Sequence, residues 1–149
     1  MQKLIQKNVS DAEKLKDKYT DERNIPVYYA CIFCQSDEEH DFFIAEARKV
    51  GKAVEERPNS LLFKISPIET IAGELELLRI RQPDASKHER GDADFVVRNY
   101  EKFKEKYLKE PGFILIPRGD SEMIELSKAG EDVRVYFSAP ALVSRLQSL

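Results

Sequence analysis

The order strand, helix, strand, strand, strand can be read twice along this 149-residue chain, and that repetition constrains the fold more than any single motif. In the first half, VYYACIFC (27–34) is rich in β-branched and aromatic residues and predicts a buried strand. SDEEHDFFIAEARKVGKAV (36–54) predicts a helix, with Ser36 and Glu39 as a capping box and Gly51 near its C-terminal end. SLLFKIS, IETI and ELELLRIR predict three strands, the last two joined by a tight hairpin at Ala72-Gly73. The polar connection QPDASKHERG (82–91) then separates two runs. In the second run DADFVV predicts a strand, NYEKFKEKYLKEPG a helix capped by Asn99, and FILIP a strand. EMIELS and VRVYFS predict a hairpin across KAGED, and PALVSRLQSL a short terminal helix. Sequence likeness between the halves is slight, IETIAGE (68–74) against IELSKAGE (124–131), so the order of elements carries the repeat.

Residues 1–24 predict a charged helix whose apolar stripe (Leu4, Ile5, Val9, Ala12, Leu15, Tyr19) has near-helical spacing. That helix is expected either to pack on the domain or to bind a partner. The rest, 25–149, is expected to be one α+β domain of two modules, about 25–82 and 91–138, a length that can bury a real core.

Charge and hydropathy narrow the partners. A net charge of −3 provides no basic field for nucleic acid. Tyr100, Phe103 and Tyr107 recur at helical spacing within EKFKEKYLKE and read as a buried stripe, with the lysines as its wet face. No apolar run approaches the roughly 20 residues that span a bilayer, and the N-terminus lacks a signal-peptide core. The expectation is a cytoplasmic protein with no nucleic-acid or membrane partner.

Two further motifs are set aside on chemistry. Arg-Gly-Asp occurs at 90–92 and 118–120, but at non-equivalent places in the repeat, and reads as turn chemistry rather than an adhesion signal. Cys31 and Cys34 form a C-x-x-C, yet the capping box starts the helix after both. Neither thiol then has the helix N-terminus that activates redox cysteines, and residues three apart on a strand face opposite sides. Buried, inert thiols are expected.

Two tandem βαβββ modules resemble the vicinal oxygen chelate superfamily, which includes glyoxalase I, ring-cleaving dioxygenases, epimerases and bleomycin-resistance proteins. The resemblance runs over roughly residues 25–138 and is carried by GKAVEERPNSLLFKI, GELELLRIRQPD and GDADFVVRNYEKFKEKYLKEPGFILIPRGDSEMIEL. It implies a cupped mixed sheet around a cavity, usually holding a divalent metal on His and Glu from the first and last strands of each module. Position by position, the first strand offers Tyr28 or Tyr29 where a His is usual, and ELELLRIR offers Glu76. DADFVV offers Asp92 or Asp94 where a second His is usual, and VRVYF offers Arg134 or Tyr136 where a Glu is usual. Glu125 has the look of the family's glutamate, but by the repeat it matches Glu69, one strand early. The two histidines are His40, inside the first helix, and His88, in the polar connection close to Asp92. A divalent metal, if one is held, would take Glu76, Asp92 and His88.

The charged residues also admit a metal-free reading. Arg79 and Arg81 share a strand face with Leu75 and Leu77, and Asp92 and Asp94 have the same spacing. Guanidinium groups on a half-buried face are costly unless paired, so arginine–carboxylate pairing is one reading. The other is that an arginine grips a carboxylate or phosphate, with tyrosines as hydroxyl donors and walls. The candidate ligand-binding residues are Tyr29, Glu76, Arg79, Asp92, Asp94 and Tyr136. The expected function is binding of a small anionic molecule, with a lyase or related enzyme among the activities the resemblance implies. The alternative is a non-catalytic homodimeric interaction domain that uses a sheet edge or the N-terminal helix.

Overall fold

A computed structural model describes residues 1–149. The chain runs α1 (Gln2–Tyr19), β1 (Val27–Phe33), α2 (Asp37–Val50), β2 (Gly51–Arg57), β3 (Ser60–Thr70) and β4 (Gly73–Arg81). It continues β5 (Gly91–Val96), α3 (Tyr100–Tyr107), β6 (Phe113–Arg118), β7 (Ser121–Leu126), β8 (Val133–Ser138) and α4 (Pro140–Gln147). All eight strands form one mixed sheet in the order β2-β3-β4-β1-β5-β8-β7-β6. Read outward from the central antiparallel β1/β5 pair, each half repeats one arrangement: first strand, fourth, third, second. Two tandem βαβββ modules therefore make a cupped α+β sheet, preceded by an N-terminal helix.

Two elements differ from the sequence reading. The stretch GKAV does not continue α2; it opens β2, an edge strand most of whose residues face solvent. Its polar alternation carries no apolar signal, so propensity extended the helix through it. Gly51 marks the switch, because a Cβ there would lie 2.1 Å from the Lys64 carbonyl oxygen. SLLFKIS and IETI are in turn a single strand, β3, whose register shifts between Lys64 and Ile68. Pro67 sits inside that irregularity, where no ladder hydrogen bond is asked of its nitrogen.

The motifs set aside on chemistry take structural places. Ser36 accepts a hydrogen bond from the Glu39 backbone N–H at 3.1 Å, and Glu39 accepts one from the Gln35 N–H. Cys31 and Cys34 are free and buried, and burial pushes the Cys34 thiol up to about 12. Gly119, at φ +61°, and Asp120 form the turn between β6 and β7, where a left-handed residue suits the hairpin. Gly91 starts β5 so close to β1 that a Cβ would meet the Cys31 carbonyl oxygen at 2.0 Å.

The convex face of the sheet carries the main core. Ile32, Phe63, Leu78, Ile80, Phe95, Ile124, Val135 and Phe137 are completely buried there. Helix α1 packs on this face against β1, β3, β5 and β8, burying Ile5, Val9, Ala12 and Leu15. Lys16 is buried with them, and its ammonium is fully engaged by Glu13, Asp17 and the Glu22 carbonyl at 2.7–2.8 Å. A buried cation is tolerable only with partners of this kind. From α3, Phe103 stacks against Phe137 with ring centroids 4.4 Å apart. No helix is long and apolar enough to cross a membrane.

The concave face is covered differently. Helix α4 lies over it, with Val143 and Leu146 against Tyr28, Tyr29, Leu62 and Leu77, and Leu142 against Met123 and Tyr136. The polar side chains of the cup sit beneath this short helix.

Candidate functional site

Strand register builds the site. Cys31 at the centre of β1 pairs with Arg79 of β4 on one side and with Asp92 of β5 on the other. Asp92 pairs in turn with Arg134 of β8. The next row brings Tyr29 beside Asp94, Asp94 beside Tyr136, and Tyr136 beside Glu125 of β7. Paired residues project from the same side of a sheet, so these side chains share the cup.

Arg79 is 5% exposed, and its two terminal nitrogens donate to Glu55 at 2.7 Å and to Ser60 at 3.1 Å. Glu55 also holds Arg57 at 3.1 Å. Burial works to raise the Glu55 pKa, but the hydrogen bond and charge of Arg79 outweigh it and hold the carboxyl below its usual value. On the other half of the cup, Arg134 pairs with Glu89 at 2.6 Å and reaches Glu125 at 3.5 Å. Tyr136 donates its hydroxyl to Glu125 at 2.5 Å.

Between these halves lies a carboxyl pair. Asp92 and Asp94 are 5% and 0% exposed and lie two residues apart on β5, on one face of the strand. The Tyr28 hydroxyl lies 3.3 Å from Asp94 and 3.0 Å from Ser138. Burial pushes Asp92 up to about 7. Burial, together with the neighbouring Asp92 charge, pushes Asp94 well above the carboxylate range.

The arginines therefore do not pair with Asp92 and Asp94, which corrects one of the two sequence readings. Arg79's partner comes from β2, whose first four residues fall within the expected helix. Glu55 and Arg57 lie just past that helix, in a polar stretch with no strand pattern to single them out. The tyrosines, Arg79 and the two aspartates do share one face. Glu76 does not join them; it is exposed and lines a separate cavity of about 410 Å³ with Lys64, Glu74 and Gln147. The His88 side chain is 77% exposed, 3.9 Å from Glu89, and His40 sits on α2 beside Asp41.

Beneath α4 a small cavity of about 30 Å³ gathers four arginines: Arg57 of β2, Arg79 of β4, Arg118 of β6 and Arg145 of α4. Tyr29 and Met123 form part of its walls, and Leu142 and Leu146 of α4 close it. That volume suits about one water molecule.

A divalent metal does not fit this donor set. No three His, Cys, Asp or Glu side chains are placed to share an ion. A guanidinium, which has no lone pair to give a metal, stands at Arg79, and the Tyr136 hydroxyl is engaged in donating to Glu125.

No protein-family model matches the chain, and no curated protein matches it in sequence. Among solved structures, the structural-genomics protein EC4020 superposes with a TM-score of 0.68 at 12% identity, covering 97% of this chain and 92% of that one. A glyoxalase/bleomycin resistance protein/dioxygenase superfamily member from Vibrio splendidus 12B01 superposes with a TM-score of 0.52 at 8% identity, over 77% of this chain and 98% of that one. At such identities the likeness shows the fold, which is glyoxalase-like.

Proposed function

We propose that this glyoxalase-like cup binds a small anion, a carboxylate or phosphate-type group, through its arginines and without a divalent metal. The observation that carries this reading is the charge balance around the cavity. Four guanidinium groups converge on it. Glu55 is shared by two of them, Asp120 faces Arg145 at 3.5 Å, and no carboxylate holds Arg118. Arg79 is the buried member of the group, whereas Arg57 and Arg145 are 41% and 55% exposed, so the cluster is a partly solvated concentration of positive charge that attracts an anion, and guanidinium forks bind such groups by paired hydrogen bonds.

Access depends on α4. A cavity of about 30 Å³ admits nothing larger than water, so Leu142 and Leu146 must move aside for a ligand to enter. Half or more of this helix faces solvent, and two buried apolar residues, Leu142 and Val143, anchor it. Such a hold is weak enough to open.

Calorimetric titration with propionate and with inorganic phosphate tests the proposal. Arg79→Gln is expected to weaken binding of the preferred anion by about tenfold or more, the worth of one charge-assisted hydrogen-bond pair. Equal affinity in the variant and the parent protein would sink the reading.

A homodimer is the second reading, and it rests on edge strand β6. Ile114 and Leu115 are 50% and 38% exposed there, an unusual apolar display for a strand with open hydrogen-bonding groups. The apolar stripe of α1 offers no such support, since it is spent inside the core. A dimer through β6 would leave the arginine cavity intact.

A further inference from the structure

Five buried side-chain polar atoms have no intramolecular hydrogen-bond partner, and four of them belong to the cup: Arg79 Nε, Arg81 Nε, Asp92 Oδ1 and Asp94 Oδ1. Folded proteins leave few such atoms, because each costs about 1–3 kcal/mol. Their arrangement is ordered. Two are donors on β4 and two are acceptors on β5, and the small side chain of Cys31 on β1 separates them. Two strand spacings, about 9–10 Å between backbones, set the donors apart from the acceptors.

A plain anion satisfies only part of this arrangement. Seated among the arginines of the cavity it meets Arg79, but it brings a negative charge toward the carboxyl pair and offers that pair no hydrogen. We infer, resting on the anion reading above, that the ligand is an amino carboxylate whose carboxylate lies among the arginines and whose ammonium lies against Asp92 and Asp94. Its ammonium supplies three donors to the carboxyl oxygens, and its carboxylate accepts from the guanidinium nitrogens. Each end of the zwitterion then meets the opposite charge.

Skeleton-matched pairs test this: alanine against propionate, and phenylalanine against 3-phenylpropionate, titrated by calorimetry. The amino acid of a pair is expected to bind about tenfold or more tightly than its deaminated partner. Asp92→Asn should bring that ratio close to one. Asn matches Asp in shape and removes a buried charge, so the variant should fold; Asp94→Asn provides the same comparison if it does not. Simple carboxylates that bind through Arg79 with no amino preference would overturn this inference and leave the anion reading standing. A preference that survives both Asn variants would overturn it as well. Absence of binding by either member of both pairs would overturn this inference, and absence of binding by inorganic phosphate as well would overturn the two readings together.

Discussion

A chain lacking residues 1–24 is expected to lose cooperative folding. Ile5, Val9, Ala12 and Leu15 of α1 are exposed by 2% or less, against the sheet face that holds Phe95 and Phe137. Burying an aliphatic side chain of this kind contributes about 1.5–3 kcal/mol. Three of them together with Ala12, plus the sheet residues uncovered with them, approach the whole stability of a domain, about 5–15 kcal/mol. Circular dichroism during a thermal scan is the measurement. The expected trace is a broad, non-cooperative change, and Leu15→Ala in the full chain should cost about 2–5 kcal/mol by urea unfolding. A truncated chain that melts sharply at the parent temperature would show α1 to be dispensable. The same burial bears on assembly, because a helix whose apolar stripe is enclosed has nothing apolar to offer a second subunit.

The Asp92–Asp94 pair should leave a clear mark on stability against pH. Both carboxyls are raised above the unfolded value of about 4, Asp92 to about 7 and Asp94 further, with burial as the first cause. Below about pH 4 both are protonated in the folded and unfolded chains, and the pair changes nothing. As pH rises from about 4 toward 7, the unfolded chain releases protons that the folded chain keeps, so stability falls across that window. Glu55 and Glu89 shift downward and act in the opposite sense, which makes a comparison with a variant necessary. Asp92→Asn removes the penalty, so urea unfolding should show a gain of roughly 2–4 kcal/mol at pH 8 and almost none at pH 4. Parallel stability profiles for the variant and the parent protein across that range would contradict a strained, buried pair.

The fold could be read from residues whose pattern is strong. VYYACIFC and DADFVV announce the central β1/β5 pair, because strands buried on both faces are continuously apolar or aromatic, apart from the two aspartates. Asn99 caps α3 by accepting from the Lys102 N–H, as its sequence position suggests. KAVEER carries no such pattern, so neither β2 nor Glu55, the partner that explains Arg79, has a signal in the sequence. The arginine cavity was beyond sequence reasoning for a second reason. Arg57, Arg79, Arg118 and Arg145 lie on β2, β4, β6 and α4, far apart in the chain. They converge because the sheet curls and α4 folds back over it, and neither strand order nor that return is written in local propensity. Tyr29, Arg79, Asp92, Asp94 and Tyr136 were accessible, since alternation on a strand assigns a face without knowledge of the sheet. Glu76 is three residues from Arg79 on β4, so alternation already places it on the opposite face, outside the shared cluster.

Arginine, in place of a metal, is proposed as the positive pole of the cup. Thermal-shift titration of chelator-treated protein with carboxylates and phosphate, alone and with Mn(II), Ni(II) or Zn(II), tests this directly. A ligand that binds the native state raises Tm by mass action. The expected result is a rise with the anion alone, unchanged by EDTA or added metal, and lost in Arg79→Gln. A rise that appears only when metal is added, and survives Arg79→Gln, would contradict it.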